Sequence, residues 1–374
     1  MRVRKVLLTT PYDISIPGGV NGQLWGLVAA LEKHADVELK VVGPRSRRDD
    51  AVHPAFVPMG RVLPWKINGS VANLTIDPIT NWRVGRLLRS FAPDVVHLQE
   101  PLVPLLNTAV MWHSRAGNVG TYHTFSETSQ WYRRAKLFLG WQHQRVHRKI
   151  AVSRAAADFV SRAFPDHYTI IPNACAPVPI VELPDGKSLG SPVTILFIGR
   201  MDEERKGFGY LVEAFDLLER RHPGGFRLVA VGAGAEQWRS LPGARRIEWC
   251  GEVTGERLRE LFREADLLCA PSIGGESFGM VLLEALGYGV PVVASAIRGY
   301  EDFLRGCDAA FLARPRDPVS LVDCIEDVAK DEARYAQLRR SGRAHAEKFQ
   351  WSSTIVSILE LYEEAADIAR RRGS

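Results

Sequence analysis

The stretch IGGESFGMVLLEALGYG, Ile273–Gly289, carries two carboxylates, Glu276 and Glu284, in an otherwise apolar and glycine-flanked run. From Ser277 to Leu286 the residues are mostly helix formers or apolar, and Gly287 and Gly289 stop the run. That pattern predicts a helix over 277–286 with Glu276 just before its N-terminus. At ~1.5 Å per residue the two α-carbons would lie about 12 Å apart, too far to share a proton or pinch a metal. Two separated acceptors beside a helix N-terminus suit a long ligand with an anionic middle and hydroxyl-bearing ends. A nucleotide sugar has that shape. The local alternative makes Glu276 a complement to the helix dipole and Glu284 a surface residue, although Leu282, Leu283, Ala285 and Leu286 leave little polar face.

Three further constellations bear on the choice. PYDISIPGGVNG, Pro11–Gly22, puts Gly18 and Gly19 at the opening of a first helix, where backbone can approach an anion closely. It is not GxGxxG, and no acidic residue ends the second strand, which argues against dinucleotide binding. FIGRMDEERKGFGYLVEAF, Phe197–Phe215, sets Arg200 just past a buried strand and Lys206 before the next helix. Two fixed cations there can hold a diphosphate and stabilise charge as a bond to it breaks. Salt bridges to Asp202, Glu203 and Glu204 would account for the same two residues locally. GTYHTF, Gly120–Phe125, places His123 after another strand, at its carboxyl end, where a buried structural histidine is the competing reading.

The elements that must position these groups follow from the apolar pattern. Strand-like runs at Val3–Thr9, Val37–Val42, Val95–Leu98, Val119–Tyr122 and Lys149–Val152 alternate with helical segments. A second series comprises Val193–Ile198, Arg227–Val231, Arg246–Trp249, Leu267–Ala270 and Val290–Ala294. Such alternation predicts two parallel sheets with crossover helices, whose ligands bind at the carboxyl ends of the strands. The break falls in a Pro- and Gly-rich linker, Ile170–Pro192, and Trp351–Arg372 reads as a long closing helix.

A length of 374 residues accommodates two such domains, and 46% hydrophobic with 24% charged residues is ordinary globular composition. The net charge of +5 is compatible with nucleic acid, anionic membrane or phosphorylated substrate, so it selects none of them. Five scattered cysteines without CxxC spacing favour a reducing compartment and argue against a zinc site. The apolar run Val6–Thr10 is too short for a signal peptide, and no run reaches the ~18 residues of a membrane span.

With these residues in place the chain resembles the family 4 retaining glycosyltransferases of GT-B fold, from Met1 to about Glu363. ESFGMVLLEALGYG is similar to that family's E-x7-E motif, with Glu276 and Glu284 at its two glutamates. PGGV at Pro17–Val20, NGSVANL at Asn68–Leu74, the HxxEP pattern at His97–Pro101, GGESFG and FQWSSTIVSILELYEEA look most like the phosphatidyl-myo-inositol mannosyltransferases. The resemblance implies an α/β architecture of two facing Rossmann-like domains with a cleft between them. Residues 1–172, with a helix 351–374 crossing back, would form the acceptor and membrane domain, and residues 173–350 the donor domain.

It also implies roles. Arg200 and Lys206 would grip the donor pyrophosphate, Glu284 the ribose hydroxyls, and Glu276 the sugar ring within the loop Glu276–Ser277–Phe278–Gly279. Gly19 would pass close to the diphosphate and His123 would contact the transferred sugar. Tyr12, Asn21, Asn68, Ser70 and Asn73 would face the acceptor. Asn21, Asn73, Gln99 and the NACAP segment differ from the family's usual residues, which leaves the acceptor headgroup open. The expected substrates are GDP-mannose and a phosphatidylinositol-type lipid. A different nucleotide sugar with a polyprenyl-linked or soluble glycan is the alternative, and a sugar-nucleotide epimerase a more distant one. The absence of a DxD motif is consistent with transfer that needs no metal cofactor, although a divalent ion could stimulate it.

One segment speaks to the membrane. On a helical wheel Val84, Leu87, Leu88 and Phe91 share one arc, and Arg83, Arg86 and Arg89 share the other with Trp82. A basic face carrying an exposed tryptophan suits an anionic lipid surface, and Trp131–Lys149 adds a second aromatic and basic stretch. A plainly solvated helix face is the alternative. The expected partners are a nucleotide-sugar donor, a lipid acceptor and an anionic membrane, without nucleic acid. The enzyme is expected to be a cytoplasmic monomer, peripherally attached to the inner face of the plasma membrane.

Overall fold

The computed structural model describes residues 3–16, 18–47, 53–60, 62–67, 70–75, 78–126, 130–176 and 187–373. The chain divides into two compact units, Met1–Cys175 with Trp351–Ser374, and Ala176–Gln350.

The first unit runs β1 (Lys5–Thr9), α1 (Gly19–His34), β2 (Glu38–Gly43), β3 (Phe56–Pro58), β4 (Val62–Ile67) and β5 (Ser70–Thr75). It continues with α2 (Pro78–Phe91), β6 (Val95–Gln99), α3 (Leu106–His113), β7 (Gly117–Tyr122), α4 (Gln130–Gln144), β8 (Arg148–Ala151), α5 (Arg154–Ser161) and β9 (Thr169–Ile170). Seven strands form a parallel sheet in the order β3-β2-β1-β6-β7-β8-β9, while β4 and β5 pair separately as an antiparallel hairpin. Strands β6 and β7 are buried at every residue because helices cover both faces of the sheet.

The second unit comprises β10 (Val193–Ile198), α6 (Phe208–Arg221), β11 (Phe226–Val231), β12 (Ile247–Gly251), α7 (Gly255–Glu264), β13 (Leu267–Ala270) and α8 (Met280–Gly287). It ends with β14 (Val292–Ser295), α9 (Arg298–Leu304), β15 (Ala310–Ala313), α10 (Pro318–Ala329) and α11 (Glu332–Glu347). Its parallel sheet has the order β12-β11-β10-β13-β14-β15. The last helix, α12 (Trp351–Gly373), packs on the first unit, where Ile355, Ile358, Tyr362, Ala365 and Ala366 join the core of Leu8, Val95 and Val119. Gly117 makes that seating possible: a Cβ there would lie 2.4 Å from the backbone of Ala365.

Strand order reverses between β1 and β6 in the first sheet and between β10 and β13 in the second. Reversal makes neighbouring loops diverge, so a crevice opens at the carboxyl ends of those strands. The loops carrying Arg200, Lys206 and Glu276 leave such ends in the second sheet, and His123 leaves the carboxyl end of β7, next to β6.

Candidate active site

In the second unit, the turn after β10 meets the loop after β13. Gly207 adopts φ +67, and a Cβ there would sit 2.0 Å from the Pro271 carbonyl oxygen, so glycine permits the contact. The Ile273 N–H donates to the Arg205 carbonyl at 2.8 Å and fastens the two loops. Lys206 Nζ then donates to Glu276 Oε1 at 2.7 Å, and Arg205 Nη1 to the same oxygen at 2.6 Å. Burial alone would raise the Glu276 carboxyl, but Lys206 and Arg205 hold it below the usual carboxylate range. Glu276 is therefore an ionised acceptor. Arg205, whose other amino group holds Glu203 at 2.6 Å, is a site residue that the sequence reading passed over. Its one signal was a third cation between Glu204 and Lys206.

Arg200 stands differently. Its Nη2 and Nε donate to the carboxylate of Asp202 at 2.9 and 3.2 Å, with Glu203 at 3.6 Å. The local pairing weighed for Arg200 and Lys206 thus holds for Arg200, while Lys206 reaches across to Glu276.

The expected helix start shifts. Helix α8 begins at Met280 rather than Ser277, because Gly279 takes φ +94 and interrupts the turn before it. Glu276 and Ser277 consequently lie in a loop, not at the helix N-terminus. Phe278 anchors that loop, buried against Phe303 and Phe349 with ring centroids 4.7 and 5.8 Å away. Gly299, at the start of α9, lets a second element press on it: a Cβ there would lie 2.0 Å from the Glu276 carbonyl oxygen. Further along α8, burial pushes the Glu284 carboxyl up to about 7.

In the first unit, Glu100 follows β6 with φ +49, an uncommon conformation for a residue with a Cβ. Its carboxylate Oε1 accepts the backbone N–H of His123 and the Thr124 hydroxyl, both at 2.7 Å. The His123 Nε2 lies 2.7 Å from Gln99 Oε1, which assigns the proton to Nε2 and leaves Nδ1 as an acceptor. Burial lowers the ring to about 4, so His123 is neutral. His97 is likewise lowered to about 3, held between Tyr362 Oη and Thr121 Oγ1, each at 2.7 Å. Asn107 locks the turn behind them, donating to the carbonyls of Gln99 and Glu100 at 2.9 Å.

Tyr12 lies close enough to this cluster that burial and the Glu100 charge push its phenol well above the usual range. Asn21 spends its amide hydrogens on the carbonyls of Asp13 at 2.8 Å and Ile16 at 3.1 Å. It braces the turn between β1 and α1 instead of presenting its donors to an acceptor. Gly19 is the first residue of α1, whose Gly18 cap is extended and offers no side-chain hydrogen bond, so the first N–H groups carry no cap. Ser70 and Asn73 lie on β5, paired with Ile67 and Pro64, and Asn68 falls outside the described residues, as does Pro17.

On α2, Val84, Leu88 and Phe91 are buried, while Trp82 is 60% exposed. Arg86 lies 5.7 Å over the Trp82 ring, Arg89 is exposed, and Arg83 donates to the Pro58 carbonyl at 3.1 Å. Trp112 of α3 and Leu137 and Phe138 of α4 are further exposed apolar groups of the same unit. No described helix is long and apolar enough to cross a membrane. Among the described residues no group of three or more His, Cys, Asp or Glu side chains is placed to hold a metal ion.

Two α/β units, each built on a parallel sheet, are the architecture of GT-B glycosyltransferases, and comparison with known proteins agrees. Residues 17–177 match Glycosyltransferase Family 4 and residues 192–331 match Glycosyl transferases group 1. The chain belongs to the family 4 glycosyltransferases. It is 32% identical over 372 residues to a phosphatidyl-myo-inositol mannosyltransferase of Mycobacterium leprae, covering 97% of both chains. It is 31% identical to the protein of that name from Propionibacterium freudenreichii, over 99% of this chain and 97% of that one. Among solved structures, a glycosyltransferase from Rickettsia africae superposes with a TM-score of 0.72 at 16% identity, covering 98% of this chain and 99% of that one. A sucrose-phosphate synthase from Thermosynechococcus elongatus gives 0.71 at 20% identity, covering 96% and 98%. These two share the fold.

Proposed function

We propose that this glycosyltransferase moves mannose from GDP-mannose to the inositol headgroup of a phosphatidylinositol-type lipid, with retention of configuration, at the inner face of the membrane. The observation that carries the reading is the end-to-end likeness, 32% over 97% of both chains, to a relative named phosphatidyl-myo-inositol mannosyltransferase. The site chemistry supports it. Glu276 is an ionised acceptor suited to sugar hydroxyls, and Glu284 is a partly desolvated carboxyl suited to those of a ribose. Arg200 and Lys206 hold the diphosphate, which takes Arg200 over from Asp202.

The transfer breaks the bond from the sugar C1 to the phosphate oxygen, and the electron pair leaves with GDP. The acceptor oxygen bonds to C1 on the same face, and its proton passes to the departing phosphate. No carboxylate dyad is required by that route, and no metal. Neutral His123, held by Gln99 and Glu100, meets the transferred sugar. Tyr12 and the β5 residues Ser70 and Asn73 are assigned to acceptor binding, and Asn21 braces the turn after β1. Trp82, Arg86 and Arg89 dock on the anionic surface, with Leu137 and Phe138 as apolar contacts.

The test is a product assay with labelled GDP-mannose and UDP-glucose, with and without phosphatidylinositol vesicles, followed by lipid extraction. Label from GDP-mannose is expected in the lipid phase only when vesicles are present. Label transferred from UDP-glucose, or left entirely in water-soluble products, would reject this substrate pair.

A further inference from the structure

The first unit has a second polar recess at the opposite end of its sheet. It is a pocket of about 530 Å³ lined chiefly by Gln144, His147, Arg148, Lys149, Asp166 and Arg372. His147 immediately precedes β8, and its backbone N–H donates to the Asn118 carbonyl at 2.8 Å. Its Nδ1 accepts the Asn118 N–H at 2.9 Å, at the start of β7. His123 lies five residues further along that strand direction, roughly 17 Å away at ~3.3 Å per residue, so the recess is separate from the carboxyl-end site.

The donors of this recess outnumber its acceptors. Because His147 Nδ1 is an acceptor, Nε2 carries the ring proton and is the ring's remaining donor. Burial, together with Arg372, Arg145, Lys149 and Arg148, pushes the ring down to about 4 and keeps it neutral. Lys149 Nζ gives one proton to the Val146 carbonyl at 2.8 Å and one to Asp166 at 2.9 Å, which leaves the third. Arg148 donates through Nε to Glu364 at 2.6 Å and through Nη1 to the His147 carbonyl at 3.1 Å, so Nη2 remains. Arg372, in the last turn of α12, has no carboxylate partner among the described residues. Of the three cations that line the recess, Arg148 pairs with Glu364 and Lys149 with Asp166, which leaves Arg372; Arg145, whose Nη2 donates to the Ser114 carbonyl at 2.7 Å, adds a second unbalanced charge close to His147. These like charges repel one another until an anion is bound among them.

We propose that this recess binds a phosphate dianion, either free phosphate or the phosphomonoester headgroup of an anionic lipid. A dianion matches the surplus charge. Its tetrahedral oxygens can accept from a guanidinium pair, an ammonium and the imidazole N–H together. Such a ligand bridges the end of α12 to the start of β8, and so stabilises the unit by mass action.

The test uses the full chain at pH 8 with excess GDP present to occupy the nucleotide site, and inorganic phosphate as the first probe. Nitrogen-labelled histidine NMR, with His147→Gln to assign the signal, should show a saturable shift of the His147 ring. Arg372→Ser, an exposed change that leaves no buried group unpaired, should weaken that binding about ten-fold, the loss of one charge-assisted contact. The second probe is co-sedimentation with phosphatidylcholine vesicles carrying phosphatidic acid, for wild type and Arg372→Ser. A shift with phosphate assigns a free ligand. A vesicle difference without that shift assigns a lipid headgroup. No saturable shift and no vesicle difference, or equal affinity for phosphate in wild type and variant, overturns the proposal.

Discussion

Lys206 and Arg205 converge on one oxygen of Glu276, and that shared contact sets what the residue can do. An ionised carboxylate accepts strongly from sugar hydroxyls, whereas an amide offers a weaker acceptor and releases both cations. Glu276→Gln is therefore expected to reduce transfer below about a tenth, roughly 1.4 kcal/mol of barrier, with the fold intact by circular dichroism. A variant retaining more than that rate removes Glu276 from the sugar contact. Glu284 makes the complementary case. Burial pushes its carboxyl up to about 7, and in the proposed role ribose hydroxyls favour the ionised form, so donor affinity is expected to rise with pH through that region. One pH unit below its pKa a carboxyl is about nine-tenths protonated, which predicts roughly ten-fold weaker GDP binding at pH 6 than at pH 8. Calorimetry on Glu284→Gln separates this from titration of the nucleotide phosphate: the variant should lose most of the slope. A slope equal to wild type would place the titrating group elsewhere.

At the scale of elements, α2 shows how one helix serves a core and a surface. Val84, Leu88 and Phe91 bury one arc beneath Leu7 and Val96, leaving Trp82, Arg86 and Arg89 outward. Each basic residue near an anionic surface adds ~1 kcal/mol of attraction, which salt removes. Changing Arg83, Arg86 and Arg89 to Ser should cut pelleting with phosphatidylinositol vesicles at low salt and leave GDP affinity unchanged. Arg83 is already committed to the Pro58 carbonyl, so Arg86 and Arg89 should account for most of the loss. Equal pelleting of variant and wild type across a salt series would leave α2 as a solvated surface.

At the scale of the whole chain, its last helix returns to complete the first unit. Tyr362, fully buried on α12, bonds His97 Nδ1 at 2.7 Å, and thereby links the end of the chain to β6. Tyr362→Phe keeps the ring and leaves that buried nitrogen unpaired, so urea unfolding should report a loss of about 1–3 kcal/mol. A smaller change would mean that the apolar contacts of α12 alone set the docking. The proposed chemistry also has a consequence for the intact enzyme. With Arg200 and Lys206 supplying the positive charge, exhaustive chelation should leave transfer largely intact. Complete loss of activity restored only by a divalent ion would show that side chains do not suffice.

Much of this architecture is legible in the amino-acid order. Strands β10 and β13 occupy Val193–Ile198 and Leu267–Ala270 as their apolar runs predict, because strands covered on both faces must be continuously apolar. Edge and hairpin elements are less legible. Ala310–Ala313 lacks the β-branched residues that mark a strand, and the strands Val62–Ile67 and Ser70–Thr75 carry little apolar alternation, although Asn68–Gly69 between them is a strong turn signal. The site divides along the same line. Residue types and spacing pointed to Arg200, Lys206, Glu276, Glu284 and His123, since catalytic chemistry restricts which side chains can stand at strand ends. Which carboxylate each cation holds was decided only in three dimensions. Arg200 keeps the neighbour that its spacing suggests, whereas Lys206 bonds Glu276, 70 residues away. Nothing in the order of residues 200–206 ranks those choices. The packing of Gly207 against Pro271 and the Ile273–Arg205 hydrogen bond do, because they bring one loop's ammonium within reach of the other loop's carboxylate.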